Sequence, residues 1–176
     1  MRYLTILLFI PFVTLAEINS VLQKELIEME IKDQKIRNQI NTVRLKAIIK
    51  KHSWLTKDLV GTEGVNAAFL IIQHSPDITF KEQMLPHLKK SYLNGEGVTG
   101  QQVALLTDRV LIAQGKKQIY GTQADVSEGQ VLFSPIEDEV NVDKRREEMK
   151  MPPLDFYLKI MEKMYGIKDH PEIDLN

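Results

Sequence analysis

The hydrophobic positions of this chain change period along its length, and each change marks a different element. Leu22, Leu26, Met29, Ile36, Ile40, Val43 and Ala47 recur at alternating spacings near four and three, with Asp33 as the one charge on the stripe. No Gly or Pro falls between Glu17 and Lys51. That pattern predicts one long N-terminal helix over 17–51, lying across its own domain with the stripe inward. Asp33 and Arg37 are spaced for an i,i+4 pair on it. Residues 52–64 contain Gly61 and Gly64 and read as a connection, with Trp54 plugging it onto the core.

Val65 to His74 is apolar nearly all round, as a buried central helix requires. On that helix His74 shares a face with Ala67, Leu70 and Ile71, which points it inward or into a cleft. Thr79 and Glu82 have the spacing of a capping box and predict a helix through Tyr92, kinked or cut short at Pro86. Thr99 and Gln102 form a second such box, opening a helix over 100–114. Val103 to Ala113 leaves that helix no polar face, yet it carries Asp108 and Arg109. Neighbours in sequence do not face each other on a helix, so each charge needs its own partner from elsewhere.

After Gly115 the period drops to two. Residues 118–126 and 130–136 predict a hairpin about Ser127-Glu128-Gly129. A charged helix over 140–149 follows, then the break Met151-Pro152-Pro153 and a last helix over 154–165. From Gly166 the chain turns polar, and 171–176 is taken as a tail beyond a single globular domain of residues 17–170. The fold class is α+β and mostly α-helical: a long N-terminal helix, central buried helices and one β-hairpin near 118–136.

The first sixteen residues stand apart. Arg2 precedes an apolar run from Tyr3 to Val13, and Thr14-Leu15-Ala16 supplies small residues at a cleavage position. This is a signal-peptide pattern, predicting export to the periplasm or beyond with cleavage after Ala16. The run falls short of the roughly 20 residues that span a bilayer, so no stable membrane span is expected. There is no cysteine, which excludes disulfides and thiol chemistry. With 23 basic and 24 acidic side chains the formal charge is −1. Nucleic acid is therefore not an expected partner.

Strong catalytic signatures are absent. The chain has no Walker loop, no GxGxxG, no HExxH and no G-x-S-x-G. Its four histidines lie at no metal-ligand spacing, so neither a metal nor a cofactor is implied. The informative polar residues fall between Thr107 and Arg146: Asp108-Arg109, Tyr120-Gly121-Thr122-Gln123, Pro135-Ile136-Glu137-Asp138 and Asp143-Lys144-Arg145-Arg146.

Together with Asn41-Thr42, Arg44-Leu45-Lys46, His52-x-Trp54, Gln73-His74 and Pro153-Leu154-x-x-Tyr157-Leu158, these segments resemble an uncharacterised, mostly bacterial family, domain of unknown function 6624. The resemblance covers nearly all of the chain after Ala16. Ser53, Leu55 and Phe69 depart from its usual Gly, Pro and Trp. It carries no activity over, but it implies that Gln73-His74, Asp108-Arg109, Gln123, Glu137-Asp138 and Arg145 form one constellation.

Two functions fit. The first is a cell-envelope binding or interaction protein whose polar cleft takes a small molecule or an envelope component, with Gln73, Arg109, Tyr120, Gln123, Asp138 and Arg145 as binding residues. The alternative is a hydrolase with His74 as general acid or base, Asp108 and Glu137 as its carboxylates and an arginine as anion clamp.

Overall fold

The computed structural model describes residues 20–27 and 36–174. A helical stretch at 20–27 (α1) is followed by α2 (Ile36–His52), α3 (Lys57–His74), α4 (Ile78–Leu93) and α5 (Gly100–Ala113). The hairpin β1 (Ala124–Ser127) and β2 (Gln130–Phe133) comes next, then a 3-10 turn at Glu139–Asn141, α6 (Val142–Glu148) and α7 (Leu154–Met164). The class is α+β and mostly helical, as the periodicity predicts. The signal-peptide segment, Asp33 and the middle of the expected long helix lie outside the described residues.

One core joins α1 to α5. Leu26, Leu45, Leu55, Val60, Ile72, Leu88 and Leu106 are all closed off from solvent. Each such aliphatic side chain contributes about 1.5–3 kcal/mol on burial. In α1 the expected stripe is right, since Leu22 and Leu26 are buried. In α2 it is not. Ile40 and Val43 are exposed, and Thr42, Leu45 and Ile48 face the core instead. The helix carries apolar residues at helical spacing on two faces, and the face bearing the bulkier Leu45, Ile48 and Ile49 packs inward.

Three other expectations are corrected. The connection is only Ser53–Thr56, because α3 starts at Lys57 and absorbs a kink at Gly61, whose φ of 69° and ψ of 169° are open to glycine. Trp54 does reach the core, stacking its ring on His87 of α4 at 5.5 Å. The start of α4 is capped by Asp77, not Thr79: its side chain accepts from the Phe80 N–H at 2.9 Å. The helix also continues through Pro86 to Leu93. The Thr99–Gln102 capping box is present as predicted.

The hairpin is shorter than expected. Its strands pair antiparallel from Ala124↔Phe133 to Ser127↔Gln130, with Glu128 and Gly129 both at positive φ in the turn. Residues 118–123 form a loop, joined to the chain after β2 by a single parallel bridge, Gln118↔Ile136. The C-terminal segment packs back onto α7. Ile173 is buried, and the Lys163 ammonium donates to the carbonyls of His170 and Ile173. Among the described residues no helix is long and apolar enough to cross a membrane.

Candidate functional site

Asp108 organises the polar region. It sits on the inner face of α5, fully buried, and its carboxylate is filled by the loop that follows the helix. Oδ1 accepts from the N–H groups of Ile119 at 2.8 Å and Tyr120 at 3.1 Å. Oδ2 accepts from the Thr122 N–H at 3.0 Å and the Thr122 hydroxyl at 2.9 Å. A buried carboxylate that gathers several backbone donors in this way is satisfied without a countercharge.

Gln118, also fully buried, works as a second anchor. Its amide nitrogen donates to the carbonyls of Gln123 at 2.8 Å and Ser134 at 2.7 Å, while its amide oxygen accepts from the Gln123 N–H at 2.8 Å. The side chain thereby replaces a missing strand between the loop and β2. Gln123 adds a contact from its own amide to the Thr122 hydroxyl, at 3.0 Å.

Two arginines close the loop from α6. Arg145 donates from Nε to the Ile119 carbonyl at 2.9 Å and from Nη2 to the carbonyls of Glu137 at 2.6 Å and Asp138 at 3.0 Å. Its approach to the Asp138 carboxylate is longer, at 3.4 Å. Arg146 is completely enclosed, donating from Nε to the Pro152 carbonyl and from Nη1 to the Tyr120 carbonyl, both at 2.7 Å. Its guanidinium carbon also lies 5.1 Å from the centre of the Tyr157 ring.

The sequence pointed to convergence of Gln73-His74, Asp108, the Pro135–Asp138 corner and the Arg145-Arg146 helix; the last three meet around residues 118–123, and no hydrogen bond between Gln73 or His74 and that loop is seen among the described residues. The partners are not the opposite charges that Asp108 and the arginines could have found in one another. Asp108 and both arginines spend themselves almost entirely on backbone groups of the loop, because a loop with few strand partners leaves many N–H and C=O groups to satisfy. Glu137 contributes only its backbone, and its side chain is exposed. His74 is exposed at the end of α3 rather than turned inward. Gln73 is half-buried, with its amide oxygen enclosed and lacking a hydrogen-bond donor among the described residues. Among the described residues, no three His, Asp or Glu side chains are grouped as a metal would need.

The site residues chosen from the sequence leave out Gln118, Thr122, Arg146 and Tyr157, although Thr122 and Arg146 fall in the stretch that it singles out. For Arg146 a sign was available, because two arginines in a seven-residue helix point to different sides and only one can face water.

A second set of groups lies beside this clasp. Arg109 follows Asp108 on α5 and is half-buried; its Nε is enclosed and has no acceptor among the described residues. The Nη2 of Arg146 is likewise enclosed without an acceptor. Tyr157 of α7 lies in the electrostatic field of both guanidiniums. Lys81 of α4 lies in the field of Arg109; burial, and then that charge, lower its pKa from the ordinary lysine value. Burial also lowers the pKa of Arg109 and of Arg146, and raises those of Tyr157 and Tyr120. Among the described residues no carboxylate is within ion-pair distance of Lys81, Arg109 or Arg146. A fully buried guanidinium and a half-buried one, neither with a paired acid among the described residues, are chemically suited to an anion.

The model of a family of unknown function, DUF6624, matches residues 40–170. No curated protein and no solved structure gives a significant match.

Proposed function

The chain belongs to the family of unknown function DUF6624, and we propose that it is an exported cell-envelope protein that binds a small anionic ligand. The observation that carries this reading is that two enclosed guanidinium N–H groups, Arg109 Nε and Arg146 Nη2, find no acceptor among the described residues, with Arg146 lying over the Tyr157 ring. Leaving a buried donor unmatched costs about 1–3 kcal/mol, and more when it is charged. A ligand oxygen recovers that cost on binding. Asp108, Gln118 and Arg145 serve the site indirectly: they hold the loop whose Tyr120 carbonyl fixes the Arg146 guanidinium.

Export rests on the apolar segment ending at Ala16, and the envelope as compartment follows from it. A mature N-terminus at Glu17, found by mass spectrometry of the expressed protein, is the corresponding observation. The hydrolase alternative has less behind it. Asp108 has its oxygens filled by the loop, whereas His74 and Glu137 both face solvent.

Thermal shift with a panel of small anions against chloride, at fixed ionic strength, tests the binding reading. An anion at about 100 times its Kd stabilises the protein by about 2.7 kcal/mol. Arg109→Met and Lys81→Met are expected to abolish that shift while the unliganded protein stays folded. A wild-type melting temperature indifferent to every anion would end this reading.

A further inference from the structure

We propose, independently of the anion reading, that the outward face of α2 is a docking surface for an acidic amphipathic helix of a partner protein. Two apolar faces share this helix. Thr42, Leu45 and Ile48 fix one of them in the core, which holds α2 in place. On the other, Ile40 and Val43 are 59% and 65% exposed, and Ala47 is exposed with them. Single exposed apolar residues need no explanation, but these three recur at spacings of three and four. At roughly 100° per residue they fall within about 60° of arc. That is the width of a coiled-coil seam, narrower than the stripe of about 100° or more with which a helix packs onto a broad apolar surface.

Ile40, Val43, Arg44 and Ala47 stand at i, i+3, i+4 and i+7, the four corners of a hole that receives one side chain of a facing helix. An open cavity of about 450 Å³ lies there, lined among the described residues by these four and Gln39. The shape fits a second helix better than it fits a lipid surface.

Charge decides what kind of helix. From Ile36 to His52 the chain carries Arg37, Arg44, Lys46, Lys50 and Lys51 and no acidic residue. With Ile40 and Ala47 at a and Val43 at d, Arg44 and Lys51 take e positions and Lys46 a g position, where charges meet across a seam. Arg44 and Lys46 form surface pairs with Glu25 and Asp77, each at 2.6 Å. Water screens such pairs, so an incoming carboxylate exchanges with them at little cost. Lys50 and Lys51 are exposed, with no acid within ion-pair distance among the described residues. A second copy of this chain would set basic residues against basic ones in either orientation, e against g when parallel and e against e when antiparallel. A partner with Glu or Asp at those positions meets complementary charge.

Fluorescence anisotropy of a labelled peptide of about four heptads, with Ile at a, Leu at d and Glu at e and g, tests the surface on the expressed protein. The control peptide carries Lys at e and g. The acidic peptide is expected to bind and the basic one to stay free. Affinity for the acidic peptide should fall about tenfold as salt rises from about 0.05 M to about 0.5 M. Ile40→Asn and Val43→Asn should each weaken binding about tenfold or more at unchanged melting temperature, since both side chains are already exposed. Lys50→Glu combined with Lys51→Glu should turn the preference towards the basic peptide.

No affinity for the acidic peptide, equal affinity for the two peptides, or binding indifferent to both Ile40→Asn and Val43→Asn would overturn the proposal. Retention on phosphatidylglycerol vesicles without peptide binding would also overturn it, by assigning the face to a lipid surface. Sedimentation as a dimer that Val43→Asn dissociates would do the same, by assigning the face to a second copy.

Discussion

Asp108 and Thr122 are joined twice through one oxygen: Oδ2 of the carboxylate accepts both the backbone N–H and the hydroxyl of Thr122, at 3.0 and 2.9 Å. Fourteen residues of chain are closed into a loop by that pair. The carboxylate takes the place of a strand partner for a segment too irregular to find one.

Removing the charge should therefore unfold the loop rather than abolish a reaction. Asp108→Asn replaces one acceptor by an amide that confronts N–H donors. A loss of about 2–4 kcal/mol is expected, from unsatisfied buried groups around a charged acceptor. Urea denaturation followed by Trp54 fluorescence measures it. A loss below about 0.5 kcal/mol would show that the loop does not depend on this anchor.

Gly121 and Gly115 give a controlled comparison of strain against space. Both have positive φ, 67° and 71°. A Cβ at Gly121 would lie 2.7 Å from Leu154 Cδ1 and 3.1 Å from Ile136 Cδ1, whereas at Gly115 nothing lies within 4 Å. Gly115→Ala is expected to cost only the left-handed backbone penalty, about 1–2 kcal/mol. Gly121→Ala must add a clash between the loop and α7. Its larger loss in the same denaturation experiment is the expected result; equal losses would mean that α7 yields freely.

Lys81 has a pKa lowered in the folded state, through burial first and the charge of Arg109 second. The folded state thus binds this proton less well than the unfolded chain does, so the charged lysine costs stability at neutral pH. That cost disappears as the pH rises through the lowered folded value towards 10.5, where the unfolded lysine also deprotonates. Lys81→Met should raise the melting temperature at pH 7, by an amount that narrows as the pH approaches that limit. Melting curves from pH 7 upward towards 10.5 check the trend. A variant less stable than wild type at pH 7 contradicts it.

Glu162 behaves in the opposite sense. Its carboxylate is bonded to Lys168 at 2.6 Å and to His170 at 2.7 Å, and those bonds, Lys168 first, lower its pKa from 4.5. The stabilisation is present above the unfolded value and is lost as the pH falls through the depressed folded one. The segment after Gly166 should accordingly loosen in acid. Hydrogen exchange at the Ile167 amide, which donates to the Glu162 carbonyl at 2.8 Å, reports this. In Glu162→Gln the acid-dependent step should be missing, and exchange there should already be fast at pH 7.

Much of the architecture is legible in the residues, because it depends on local rules. Thr99 and Gln102 announce a helix start that the chain makes as written, and Pro153 ahead of Leu154 marks the last helix. Gly129 marks the hairpin turn, since its positive φ is one that glycine adopts without strain. Asp108 and Arg109 could be singled out because adjacent charges on an apolar helix cannot satisfy each other.

What the residues could not decide is which of several equivalent partners each group finds. Ile40 and Val43 satisfy helical spacing as well as Leu45 and Ile48 do, and only packing against α3 selects the inward face. His74 shares a helix face with apolar residues, yet as the last residue of α3 it is exposed while Ile71 and Ile72 of the same turn are buried. Asp108 is bonded to backbone N–H groups, which have no signature in the residue order. The charges of Arg109 on α5 and Arg146 on α6 both act on Tyr157 of α7. Periodicity and capping act over a few residues, so the sequence by itself determined the elements. The meeting of those charges is a long-range consequence of how the elements pack, and only the tertiary structure decided it.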